Sequence, residues 1–246
     1  MSQYIRILRA EHLKLKRTFT RKLMLTAPLL TLFLCFMLMG GRFFQSGSLN
    51  WWYTMILPGA LTLMCSGVLR KDGGKLRYRP ILSLPIPASL SWLGKIGEVV
   101  ILFFGASMCL WVALFAVGLL LAGTISAMDS LLGTLAIFAT FLWQIPFCLF
   151  LADRVGTFVT LIISMIGNFG AGVIFLPTSD LWWIPYGIPS RLMCAIIQVL
   201  PNGLPVPAGD PLLDQSVILP GLLINIGWFV LLSFITAKAF QGKESK

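Results

Sequence analysis

Charge is scarce in this sequence. Charged residues fill 11% of its 246 positions, against about 25% in an ordinary soluble domain. Hydrophobic residues reach 57%. A soluble fold of this length needs more charge to cover its surface, so a water-soluble domain is excluded. A disordered chain is excluded too, because such chains are poor in apolar and aromatic residues. Histidine is rarer still, with His12 alone. A serine–histidine pair at membrane depth therefore has no base to draw on. Cysteine is thin and scattered. Cys35, Cys65, Cys109 and Cys148 lie in apolar runs, and Cys194 stands apart in a long loop. There is no CxxC spacing to hold zinc. No structural disulfide is expected, and the cysteines read as small membrane-buried hydrophobes.

What is present is length of apolar run. A spanning helix needs about 20 largely apolar residues. Six segments qualify: 23–40, 52–69, 96–122, 131–152, 155–176 and 217–237. They predict an all-α membrane protein of six transmembrane helices, with residues 1–22 ahead of a 23–246 transmembrane domain. The fourth and fifth are separated by little more than Asp153 and Arg154, which predicts a tight helical hairpin. The amino-terminal segment is too long and polar for a cleavable signal, so the first span is expected to stay as an anchor.

The basic residues orient these spans. Arg6, Arg9, Lys14, Lys16, Arg17, Arg21 and Lys22 precede the first span. Arg70, Lys71, Lys75, Arg77, Arg79 and Lys95 follow the second, Arg154 the fourth, and Lys238, Lys243 and Lys246 the sixth. The opposite side holds only Arg42 and Arg191. The split is 17 against 2, and the positive-inside rule then places both termini in the cytoplasm. This placement between apolar runs reads as topology and not as a nucleic-acid surface; no recognition module is present.

Four regions are candidates for function. Ser2–Arg21 patterns as an amphipathic interfacial helix through Tyr4, Leu8, Leu15 and Phe19, with Glu11 interrupting it. The loop 70–95 is longer than a connector needs. Its first half is basic and its second carries Leu82, Leu84 and Ile86, which are too apolar for a free loop. A helix starting near Ser89, capped by serine, is expected to run into the third span. The outer loop 177–216 carries seven prolines between Pro177 and Pro211, which forbid one long helix, but 192–200 is apolar enough for a short one. Trp51, Trp52 and Tyr53, with Trp182, Trp183 and Tyr186, suit an outer aromatic belt. With Asp180 they offer an outer surface for an amphipathic or cationic ligand, or else an interfacial plug. Last, Gln144, Asn168 and Asn225 are polar within spans, where hydrocarbon cannot satisfy them. Interhelical hydrogen bonding is their expected role, with a kink at Pro146. Gly167 and Ala171 form a small-xxx-small pair. Glu98 is expected to pair with Lys95 or reach the interface.

No catalytic constellation emerges. Gly74–Lys75 is not a phosphate loop, since G-x-x-x-x-G-K-[ST] needs glycine where Leu69 stands and a hydroxyl where Leu76 stands. No two acids share a mid-membrane level, so a two-aspartate protease is not supported.

Several motifs nevertheless converge. They are AEHLKLKRT at Ala10–Thr18, NWWY at Asn50–Tyr53, WQIPF at Trp143–Phe147, DLWWIPY at Asp180–Tyr186 and PNGLP at Pro201–Pro205. Together they resemble the permease subunits of lantibiotic-immunity ABC transporters, of the MutE, EpiE or NisE type, over nearly the whole chain. The resemblance implies an ABC-2-type exporter fold. It implies a second homologous permease, two copies of an ATP-binding cassette ATPase, and export of a cationic antimicrobial peptide from a bacterial cytoplasmic membrane. ATP and magnesium would sit on the partner ATPase, with no cofactor on this chain. It further implies ATPase coupling through Arg70, Lys71, Lys75, Arg77, Arg79, Ile81, Leu82, Leu84 and Trp92, assisted by the amino-terminal helix. A re-entrant outer segment before the last span is implied as well. Another ABC-2 substrate (lipid, polysaccharide or drug) and a peptide sensor or scaffold remain the alternatives.

Overall fold

The computed structural model describes residues 3–39, 43–73, 78, 86–120, 125–175 and 180–242. Among them the secondary structure is helical, apart from a single β-bridge between Val199 and Pro205. Five helices are long and apolar enough to cross a membrane, and a bent helix pair makes a sixth when counted as one span.

Helix α1 covers Gln3–Lys14 and α2 covers Phe19–Met39. The single amphipathic helix predicted to reach Arg21 thus ends early. Leu15–Thr18 turns the chain instead, with the Thr18 amide and hydroxyl both donating to the Leu15 carbonyl. Phe19 begins the spanning helix and is 65% exposed, so it does not continue the α1 face.

The second span starts well before Trp52. Helix α3 (Phe44–Trp51) runs through a π-turn at Trp52–Ile56 into α4 (Leu57–Gly73). The π-turn has a local cause. Pro58 donates no amide hydrogen, and its ring crowds the carbonyl four residues back. The wider turn admits it, with the Leu57 amide reaching back to the Trp52 carbonyl. This span is the axis of the bundle. Of its most apolar stretch 72% is buried, against 17% for the last span. The polar residues Gln45, Ser46, Ser48 and Asn50 are buried with it.

Helix α5 (Ala88–Leu120) is the third span. It begins beyond Pro87, whose carbonyl accepts from the Leu90 and Ser91 amides. Ser89 therefore lies in the first turn and does not cap it. Lys95, expected at the end of a loop, is inside the helix and fully buried.

Helices α6 (Ala127–Phe141) and α7 (Gln144–Val155) are bent 42° at Leu142–Trp143. Pro146, in the first turn of α7, crowds the Leu142 carbonyl. Ser126 caps α6 by accepting from the Asp129 amide. The hairpin turn falls at Gly156 and not at Asp153–Arg154. Its φ of +88° suits a residue without Cβ. Helix α8 (Thr157–Met165) then widens into a π-stretch at Ile166–Phe175.

The outer segment folds back on the bundle. Helix α9 (Ile188–Ile197) is buried against α6 and against α10 (Ile218–Gln241). Gly221 gives Leu192 and Ile188 room, and Gly133 does the same for Ile197.

Candidate functional site

The most concentrated chemistry lies where α1 crosses α5. Two glycines make the crossing close: a Cβ on Gly94 would strike Ile7, and one on Gly97 would strike Tyr4. This approach delivers Glu11 into the bundle, where it is 3% exposed. Its Oε1 accepts from Lys14 Nζ at 2.7 Å and its Oε2 from Lys95 Nζ at 3.2 Å. Lys95 also donates to Asp72 in the last turn of α4, and Lys14 donates to both Asp72 oxygens at 3.1 Å. One turn on along α5, Glu98 lies within 3.1 Å of His12 Nδ1. Three carboxylates, two ammonium groups and one imidazole thus fasten α1 to the ends of α4 and α5.

Burial alone would lower the Lys14 pKa, but its bond to Glu11 and the charges of Glu11 and Asp72 outweigh it, and the pKa is raised. Glu98 does not pair with Lys95. Each reaches past its own helix to α1. Glu11, read from the sequence as an interruption, is the residue around which the crossing is built. Among the described residues no group of histidine, cysteine, aspartate and glutamate is arranged to hold a metal ion.

A second fastening surrounds Tyr78. Its amide donates to the Asp72 carbonyl at 2.9 Å, and its hydroxyl to Asp153 Oδ1 on α7 at 2.9 Å. Burial, then the Asp153 charge, raise its pKa. The ring meets Phe240 edge-on at 5.2 Å, and Phe240 stacks on Trp92 at 4.8 Å. Trp92 Nε1 donates to Thr236 Oγ1 at 3.0 Å. Tyr78 therefore links α4, α7, α10 and, through Phe240, α5.

Of the coupling residues named from the sequence, Arg70 and Lys71 are exposed on the last turns of α4. Trp92 is 1% exposed, so it presents no surface to a partner; it packs the spans together. Lys75, Arg77, Arg79, Ile81, Leu82 and Leu84 lie outside the described residues.

At the opposite end the aromatic residues separate. Trp52 and Tyr53 are buried in the bundle axis, not at a lipid interface. The helix entering there begins seven residues before Trp51, so the aromatic cluster lies inside the span, not at its rim. Tyr186 packs on Trp143 at 4.8 Å and over Gly167. Gly167 therefore makes room for a ring, not for a neighbouring span. Asp180 and Trp183 are exposed, while Trp51 and Trp182 are half-buried. The segment is held by Arg191, whose Nη2 donates to the Pro211 carbonyl at 2.9 Å and whose Nη1 donates to Leu212. Asn50 donates to the Pro201 carbonyl, also at 2.9 Å.

Midway, Gln144 and Asn168 form a reciprocal amide pair at 2.8 and 2.9 Å. Asn225 differs. Its amide donates only within α10, to Gly221 at 3.3 Å, and its buried Oδ1 has no partner among the described residues.

Comparison with family models, with curated proteins and with solved structures returned no match.

Proposed function

We propose that this chain is the permease subunit of an ATP-driven ABC exporter of ABC-2 type, one that removes lantibiotics or related cationic antimicrobial peptides from a bacterial cell membrane. In this reading it is not itself an enzyme. A partner ATPase, in two copies, binds ATP and magnesium; a second, homologous permease completes the path. Both termini face the cytoplasm.

The observation that carries the reading is the ionic fastening of α1 to α4 and α5, at the end of α4 that carries Arg70 and Lys71. A motor outside the bilayer can only tilt helices through a rigid contact. Buried, mutually neutralising charges supply one, because separating them leaves charge unpaired at low dielectric. The exposed Arg70 and Lys71 offer the adjoining surface to an acidic partner.

Affinity purification from detergent should recover an ATPase with the chain. Recovery of the chain alone, with its basic loops intact, would count against the proposal. Substrate class is tested separately: a sensitive host expressing all subunits should gain protection from lantibiotics. Unchanged sensitivity would move the reading to another ABC-2 substrate. Peptide binding without stimulation of ATP turnover would move it to a sensor or scaffold.

A further inference from the structure

A groove of about 780 Å³ runs between α5 and α10, with Tyr4 of α1 closing one side. We propose that it binds one anionic phospholipid of the adjoining leaflet. The inference depends on the spans alone and not on the transport reading. The volume falls in the range of about 300–1,000 Å³ usual for small-ligand sites. Its α10 wall faces outward, with Val230 61% and Phe234 67% exposed. A groove opening on hydrocarbon is filled by acyl chain, since water gains no hydrogen bonds from apolar walls.

The order of groups along α10 identifies the headgroup end. Lys238 stands at the rim, exposed, and makes no ion pair among the described residues. No acidic side chain lines the groove to compete for it. The first turn of α5, at Ser89, brings the positive end of a 33-residue helix to the same rim. Ser233 lies five residues deeper, about 7.5 Å at helical rise. It is 9% exposed, and its Oγ has no partner among the described residues. Below it the walls are Phe229 and Val100. An ammonium, then a buried hydroxyl, then apolar walls match a phosphate, an ester carbonyl and an acyl chain in that order. Lys238 attracts the phosphate, and Ser233 donates to the ester.

The test uses the full chain, reconstituted in vesicles of equal phosphatidylglycerol and phosphatidylcholine and then analysed by native mass spectrometry. Phosphatidylglycerol should be retained over phosphatidylcholine by about fivefold, the contribution of one lysine near a charged membrane surface. Lys238→Gln should bring that ratio close to one. Ser233→Phe, which fills the groove, should remove retention of both lipids. Lys22→Gln, a cation on another helix, should leave the ratio unchanged. Equal retention by the unaltered chain, or an unchanged ratio in Lys238→Gln, would overturn the proposal. So would a Val230→Cys cross-link between two copies that displaces the lipid, because the groove would then be a protein interface.

Discussion

Replacing Lys95 with methionine tests whether the charge cluster holds α1 in place. Methionine keeps the length and the apolar stem but removes the ammonium group. Glu11 and Asp72, both of which accept from Lys95, then face each other with Lys14 as their remaining shared cation. Removing one partner of a buried ion pair costs about 3–5 kcal/mol. For a chain of this size that corresponds to a fall of about 6–20 °C in unfolding temperature. The loss should be local first. Hydrogen exchange over Gln3–Lys14 should rise before exchange in the spans, because α1 docks mainly on α5 through this cluster and two glycines. Adding Asp72→Asn restores neutrality around Glu11 and Lys14. The double variant should therefore recover at least half of the lost stability and most of the α1 protection. Thermal unfolding of the purified chain in detergent, paired with exchange mass spectrometry, reads both. A fall below about 2 °C, under roughly 1 kcal/mol on the same scale, would refute the reasoning. A double variant no better than the single would refute it equally, since the loss would then be packing and not charge.

Other substitutions address separate parts of the fold. Gln144→Leu or Asn168→Leu alone strands a buried amide and should cost about 1–3 kcal/mol, whereas the double replacement should lie nearer the unaltered chain; a double-variant cycle in detergent melts measures the difference. Tyr78→Phe should destabilise by about 1.5–3 kcal/mol at neutral pH through loss of the bond to the Asp153 carboxylate. Because folding raises the Tyr78 pKa, the advantage over phenylalanine should be constant below about pH 10 and shrink above it; a pH series of melts in which the gap grew with alkalinity would contradict the geometry. Gly67→Leu places a side chain on Thr20, a stiff β-branched residue of α2, and should cost about 1–3 kcal/mol by overpacking. Equal stability would show that α2 can slide away from α4.

The spans were readable because hydrocarbon demands long apolar runs, and those runs stand out. Their ends were less readable where protein, not lipid, surrounds the helix. Phe44–Asn50 contains Gln45, Ser46, Ser48 and Asn50, which look like loop, yet all are buried in the bundle axis. A hydropathy pattern cannot separate a polar loop from a polar stretch satisfied inside a bundle. Gln45, for example, donates to the Leu114 carbonyl and accepts from the Ile125 amide. The charge cluster was hidden for a different reason. Glu11, Asp72 and Lys95 are far apart in sequence, and the local readings are plain: Glu11 interrupts an amphipathic pattern, and Asp72 and Lys95 fall in the 70–95 loop. The one available signal was Lys95 with Glu98, two opposite charges one turn apart in an apolar helix. Locally it suggests a Glu98–Lys95 pair or a Glu98 that reaches the interface, whereas each group reaches a partner on α1. The interhelical role of Gln144 and Asn168, though not their pairing, was legible, because a carboxamide inside a span has few other ways to be satisfied. At Asn225 the same expectation is not met, since among the described residues its amide bonds only within α10.

The distribution of fastenings says where such a bundle can bend. At one end, α1, Asp72, Lys95 and Tyr78 tie α4, α5, α7 and α10 together. At the other, Arg191 holds the α9 segment to the 211–212 turn, and Asn50 holds the second span to the Pro201 turn. Between them lie three backbone irregularities: the π-turn at Trp52–Ile56, the break at Leu142–Trp143, and the π-stretch at Ile166–Phe175. The two π-segments pack on each other, and the Gln144–Asn168 pair joins the break to the longer one. The π-turn keeps Trp52, Tyr53 and Thr54 buried and the break keeps Trp143 buried, whereas the π-stretch buries Asn168 and turns Ile166, Phe169 and Ile174 outward. Helical geometry is stiff, and kinks concentrate at prolines and π-bulges. The middle layer is therefore where the spans containing α4 and α7 are least stiff, while α5 passes it as one unbroken helix. The buried amide pair sits within it and ties α7 to the π-stretch there.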